Sequence, residues 1–164
     1  MTTQIILQLL SVLATGLLAG LFYGYSCSVN EGLGNLSDEK YLEAFQSINK
    51  VIQNPVFFAS FIGSAIFLSI GTFLLSRSGI SASFFFLLSA TIIYFIGVLG
   101  ITMLYNVPLN ERLARFSIST ATASEISAMR QAFEKPWNNF HTIRTIASIV
   151  AFVLAILSII KQKI

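Results

Sequence analysis

Apolar positions run almost unbroken through four stretches of this chain, at about residues 5–25, 55–75, 84–105 and 143–160. A bilayer core takes roughly 20 apolar residues in a helix, and each stretch independently meets that length. None contains Asp, Glu or Lys, and Arg144 stands at the edge of the fourth. The pattern predicts an all-α, integral membrane four-helix bundle that forms one domain over residues 1–164.

The two longer connections carry a different pattern. In "SDEKYLEAFQSINKVIQ", Tyr41, Phe45, Ile48 and Ile52 recur on one helical face, with Ser37 placed to cap and Asp38 and Glu39 in the first turn. Asn54 and Pro55 then read as the cap and first residue of the second span. The second connection repeats the device: Thr122 and Glu125 fit a capping box, Ile126, Met129 and Phe133 share a face, and Pro136 is expected to stop the helix. Both connections should therefore hold short amphipathic helices at the mouth of the bundle.

Composition supports membrane residence. Only 10% of residues are charged and 55% are hydrophobic, against about 25% charged in soluble domains. The first run lacks a basic n-region and exceeds a signal-peptide core in length, so it reads as a retained span. The formal charge is +3, but the bases are scattered without a stripe, which argues against nucleic acid as a partner. Four spans place both termini on one side with the short connection "SRSGISAS". That side holds Arg77, Lys161 and Lys163 and no acid. The opposite side has more bases in total but carries every acid. The density of bases close to the spans favours both termini in the cytoplasm, in a bacterial inner membrane, although the raw count points the other way.

Gly16, Gly20 and Gly24 form a small-residue stripe on the first span. Such a stripe lets another backbone approach closely. Gly63, Ser60 and Ser64 in the second span and Gly97 and Gly100 in the third are candidate receivers. A homodimer or a second membrane protein is the alternative partner. Cys27, the lone cysteine, reads as a small interfacial residue.

Polar residues gather at the span ends on the longer side. Tyr23, Tyr25, Glu31, Asn49, Asn54, Asn106, Asn110, Trp137, His141 and Arg144 are placed to converge at one depth. A hydrophobic bundle with a polar mouth suits an amphiphilic small molecule or a membrane lipid. Arg144 is the sharpest feature, because a charge beside an apolar run needs a partner or must snorkel. Glu31, Glu111 or an Asn side chain is the expected partner. His141 is either a base or a hydrogen-bonded structural residue, and Trp137 either an interfacial anchor or a stacking platform. One His and one Cys do not make a recognisable metal-ligand set, and no dinucleotide or phosphate-loop motif is present, so neither a metal nor another cofactor is expected.

The segments "INKVIQNPVF" (48–57), "GITMLYNVPLNERLA" (100–114) and "WNNFHTIRT" (137–145), set over four spans, resemble the anthrone oxygenase-like family of small integral membrane proteins. A few fungal members of that family oxidise an anthrone to an anthraquinone with no identified cofactor. The resemblance carries over Asn49, Asn54, Pro55, Asn106, Pro108, Asn110, Trp137, His141 and Arg144. Phe140 stands where another aromatic, commonly Trp, is usual, and His141 where Asn or His suits the pattern. It implies a cofactor-independent oxidation of a lipophilic phenolic or polycyclic substrate. His141, Arg144, Asn106 and Asn110 would be catalytic, and Trp137, Tyr23, Tyr25, Glu31, Asn49 and Asn54 substrate-binding. The alternative is a non-catalytic scaffold, or a lipid- or small-molecule-binding partner of another membrane protein.

Overall fold

The computed structural model of the chain describes residues 3–162. Seven α-helices account for most of it: α1 (Thr3–Gly24), α2 (Asn30–Gly34), α3 (Asp38–Val51), α4 (Pro55–Arg77), α5 (Ala82–Ile93), α6 (Val107–Ala114) and α7 (Ala123–Ile160). Segments Tyr25–Val29, Tyr94–Gly100 and Thr102–Asn106 are π-helical and continue α1 and α5 toward the following helices. Four helical rods, Thr3–Gly34, Pro55–Arg77, Ala82–Ala114 and Ala123–Ile160, are long and apolar enough to cross a bilayer. The chain is an integral membrane four-helix bundle.

The rods form a ring in which α1 packs on α4 and α7, and α5 packs on α4 and α7. Leu18, Leu68, Leu87, Tyr94 and Val98 fill the centre. The end that holds both termini is tied by buried polar side chains. Gln8 Nε2 donates to Ser158 Oγ at 2.6 Å and to Ser83 Oγ at 3.2 Å, joining α1, α7 and α5. Such interhelical bonds stabilise a bundle inside lipid, where burial of apolar surface cannot.

Within the bundle, the glycine stripe packs at one position. A Cβ on Gly16 would meet the Phe152 ring of α7 at 2.8 Å, so this glycine does admit a neighbour. A Cβ on Gly20 or Gly24 would meet nothing within 4 Å among the described residues. The closest approach lies elsewhere, at Gly97, where a Cβ would sit 2.6 Å from Ala147 Cβ.

Opposite the termini, α3, α6 and the start of α7 build a cap with its own core of Tyr41, Leu42, Phe45, Leu113, Ile118, Ile126, Phe133 and Trp137. Phe45 meets Phe133 at 4.7 Å and Trp137 at 4.8 Å, both edge-on, the geometry that ring quadrupoles favour. Arg130 fastens the cap. It pairs with Asp38 at 3.0 Å and Glu134 at 2.7 Å, and donates to the Leu36 and Gly34 carbonyls. It also lies over the Tyr41 ring at 4.5 Å. Burial, and then the nearby Glu134 carboxylate, push the Tyr41 hydroxyl above its usual range.

The expected caps form in part. Asn54 Oδ1 accepts from the Val56 and Phe57 backbone at 3.0 Å each, and the Thr122–Glu125 capping box closes on both sides. Ser37 stands at the start of α3 without a side-chain bond. Pro136 does not end its helix; α7 runs unbroken through it. Proline forfeits one backbone bond, to the Ala132 carbonyl. Phe133 and Trp137 are locked into the cap core on either side of it, and that packing holds the helical course.

Candidate functional site

Continuity through Pro136 puts Phe133, Trp137, His141 and Arg144 on one buried stripe of α7. The stripe leads from the cap core to the bundle interior. Trp137 is fixed at both ends: its Nε1 donates to Asn110 Oδ1 at 2.8 Å, and its carbonyl accepts from Asn106 Nδ2 at 3.2 Å. Its ring stacks on His141, with centroids 4.9 Å apart and planes 14° apart.

His141 is held by groups that leave one assignment of its proton. Arg144 Nε and Nη2 lie 3.1 and 3.0 Å from Nδ1. Arginine only donates, so Nδ1 is the acceptor. Nε2 lies 3.2 Å from the Phe22 carbonyl, which only accepts, so Nε2 carries the hydrogen. The imidazole is therefore neutral, with its lone pair turned to the guanidinium.

Arg144 is 8% exposed. Beyond His141 it reaches Thr102 Oγ1 at 3.5 Å and lies over the Phe22 ring at 4.4 Å and the Trp137 ring at 5.0 Å. The expected acid partners are not there. Glu31 is exposed on α2, and Glu111 pairs with Arg115 at 3.1 Å on the surface. Among the described residues no carboxylate neutralises Arg144. Burying a carboxylate in an apolar site is costly, and α1 and α5 carry no Asp or Glu. Rings and a neutral imidazole supply the compensation instead.

These groups wall a cavity of about 690 Å³, within the range of small-molecule sites, about 300–1,000 Å³. Tyr25, Asn49, Asn110, Trp137, His141 and Arg144, all expected from sequence, line it together. Phe22, Phe57, Phe61 and Met103 give it apolar walls, and Gln46, Gln53 and Thr102 add polar ones. Leu21, Phe58 and Met103 line the cavity and are also exposed on the outer, apolar face of the bundle. Lys50 and Glu111 stand at its aqueous side.

Four expected residues stand apart from the cavity. Tyr23 is 60% exposed, Glu31 is exposed, Asn54 caps α4, and Asn106 lies behind Trp137 as its backbone partner. Thr102 and Phe22 went unnoticed in the sequence because neither residue type is rare in a span. Thr102, with Asn106, belongs to a π-helical segment. There Val107 N–H reaches back five residues to the Thr102 carbonyl, and Pro108 next to it has no N–H to give. Single-turn π segments are common at functional sites because they re-aim side chains.

A family model described as anthrone oxygenase matches residues 55–154. The chain belongs to the anthrone oxygenase family. The matched region carries Thr102, Asn106, Asn110, Trp137, His141 and Arg144 but leaves out Tyr25 and Asn49, which α1 and α3 bring to the same cavity. It is also narrower than the sequence motifs, the first of which starts at Ile48. No curated protein and no solved structure matches the chain.

Proposed function

We propose that the chain oxidises a lipophilic, phenol-bearing polycycle of the anthrone type with dioxygen, holding the substrate's ionised oxygen against Arg144. One observation carries this reading: a buried guanidinium that meets no carboxylate among the described residues, at the wall of a largely apolar cavity. A buried cation in that position is most strongly compensated by a ligand that brings the negative charge.

The substrate chemistry fits the residues present. An anthrone loses a proton from its central CH₂ to give an enolate whose charge rests mainly on oxygen. Arg144 has N–H groups for that oxygen, and the same groups now bind His141 Nδ1. When the guanidinium turns to the ligand, the Nδ1 lone pair is released and can take the CH₂ proton. The enolate carbon then gives electrons to dioxygen and forms a C–O bond, leaving a peroxide anion that recovers the proton. Loss of water breaks the O–O bond, removes the second hydrogen and leaves a carbonyl. Anthrone and O₂ become anthraquinone and H₂O, with one oxygen atom in each product. Trp137, with His141 stacked on its ring and Arg144 over it, walls the cavity and sets the orientation of the base. Asn110 positions Trp137, and Asn106 supports its backbone.

Oxygen uptake by the purified protein with anthrone tests this reading. Turnover should exceed the spontaneous rate and fall about 10²–10⁴-fold in His141→Ala, the usual worth of a general base, with a comparable loss in Arg144→Ala. Uptake at the spontaneous rate would remove the assignment.

A further inference from the structure

Arg144 bonds to His141 and Thr102 and lacks only a counter-charge, whereas two other polar groups in the cavity meet no hydrogen-bond partner among the described residues. Asn49, on the last turns of α3, lines the cavity and is 9% exposed. Its Nδ2 is buried and meets no acceptor among the described residues. The hydroxyl of Tyr25, on the same cavity, is buried and unpartnered as well. The amide nitrogens of Gln46 and Asn54 show what a satisfied, structural donor looks like in this region. Gln46, one turn earlier on α3, donates to the Leu113 and Phe116 carbonyls at 2.8 and 2.9 Å. Asn54 donates to the Val51 carbonyl at 2.9 Å while capping α4.

Folded proteins rarely leave a buried donor empty, because desolvation without a replacement bond is costly. We infer that Asn49 is a second recognition point that donates its Nδ2 hydrogen to a neutral carbonyl or phenol oxygen of the ligand, separate from the ionised oxygen at Arg144. The inference rests on the reading of this cavity as the ligand site. A neutral amide donor is suited to a neutral acceptor, whereas the guanidinium is suited to the charged one. The two groups come from α3 and α7, so the ligand they select carries at least two oxygens on a rigid, flat frame. A polycycle with a single oxygen would leave Asn49 orphaned.

Trp137 is the chain's only tryptophan and lines the cavity, so its fluorescence reports occupancy directly. The protein in lipid vesicles is titrated under nitrogen with anthracene, anthrone, anthraquinone and a ring-hydroxylated anthrone. Wild type should bind at least one of the two compounds with a second oxygen about tenfold more tightly than anthrone, the gain from satisfying one buried donor. Asn49→Leu, close to isosteric, should erase that preference and keep anthrone binding. The ligand-free variant should melt no lower than wild type, since an empty donor has been replaced by an apolar group. Equal binding of all three oxygenated compounds by wild type would overturn the inference. So would a preference that survives in Asn49→Leu, or a melting temperature that drops in the ligand-free variant. Anthrone bound no better than anthracene would instead remove the Arg144 reading, and this inference with it.

Discussion

Replacing Arg144 by methionine removes a buried cation and leaves an apolar side chain of similar reach. In the ligand-free protein several contributions nearly cancel. Desolvating the guanidinium costs several kcal/mol. Against that stand the charge-assisted bond to His141 Nδ1, worth about 1.5–3 kcal/mol, and the Phe22 and Trp137 ring faces at 4.4 and 5.0 Å, each worth up to about 2 kcal/mol when desolvated. Arg144→Met should therefore change stability by no more than about 1 kcal/mol, while ligand binding is lost. Arg130 is the internal contrast. It holds two carboxylates and two backbone carbonyls, so Arg130→Met should cost about 2–4 kcal/mol by stripping charged hydrogen bonds from the cap. Unfolding in mixed detergent and SDS, followed by circular dichroism, measures both. A loss above about 3 kcal/mol in Arg144→Met is what breaking a buried ion pair gives. That result would refute the claim that the cation awaits its counter-charge from a ligand.

The remaining predictions concern packing, topology and the base. Gly97→Val should lower stability by about 1–3 kcal/mol through overpacking, because its Cβ has Ala147 Cβ at 2.6 Å, whereas Gly20→Val, with open space around it, should be nearly silent in the same unfolding assay. In a Cys27→Ser background, single cysteines at Ser78 and Ser119 should label from opposite sides of sealed vesicles; labelling from one side would contradict the ring of four spans. His141→Gln should slow oxygen uptake nearly as much as His141→Ala, because an amide can hold Arg144 but cannot take a carbon proton; full activity in His141→Gln would show that His141 only positions the guanidinium.

The spans were legible in the sequence because a bilayer imposes a length and an apolarity that any pattern must meet. The capping box at Thr122 and the Asn54 cap were legible for a similar reason, since helix ends leave backbone donors that local side chains must fill. What escaped was set by tertiary contact. Pro136 reads as a stop in isolation, yet Phe133 and Trp137 are anchored in the cap core on both sides of it, and the helix pays one bond to keep them there. Gly97 was legible as a close-contact position, but its neighbour is Ala147 of α7 and not the Gly16–Gly20–Gly24 stripe, of which Gly16 alone packs on another helix among the described residues. Arg144 stood out by its charge, while its company did not. A sequence advertises carboxylates as partners for an arginine, and here a neutral histidine three residues earlier and the faces of Phe22 and Trp137 take that place. The π-helical turns at Tyr25 and Thr102 leave no residue signature beyond the nearby Pro108, so Thr102 was passed over.

The most direct test of the central claim is spectral and needs no turnover. An anthrone is bound to the protein in nanodiscs under nitrogen, and the appearance of its coloured enolate is followed as pH rises. If Arg144 supplies the counter-charge, the bound anthrone ionises at a lower pH than the same compound in protein-free nanodiscs. Arg144→Met should abolish that shift, while Arg130→Met, in protein that remains folded, should keep it. An enolate that forms at the same pH with and without the protein, or a shift that survives Arg144→Met, would contradict the account.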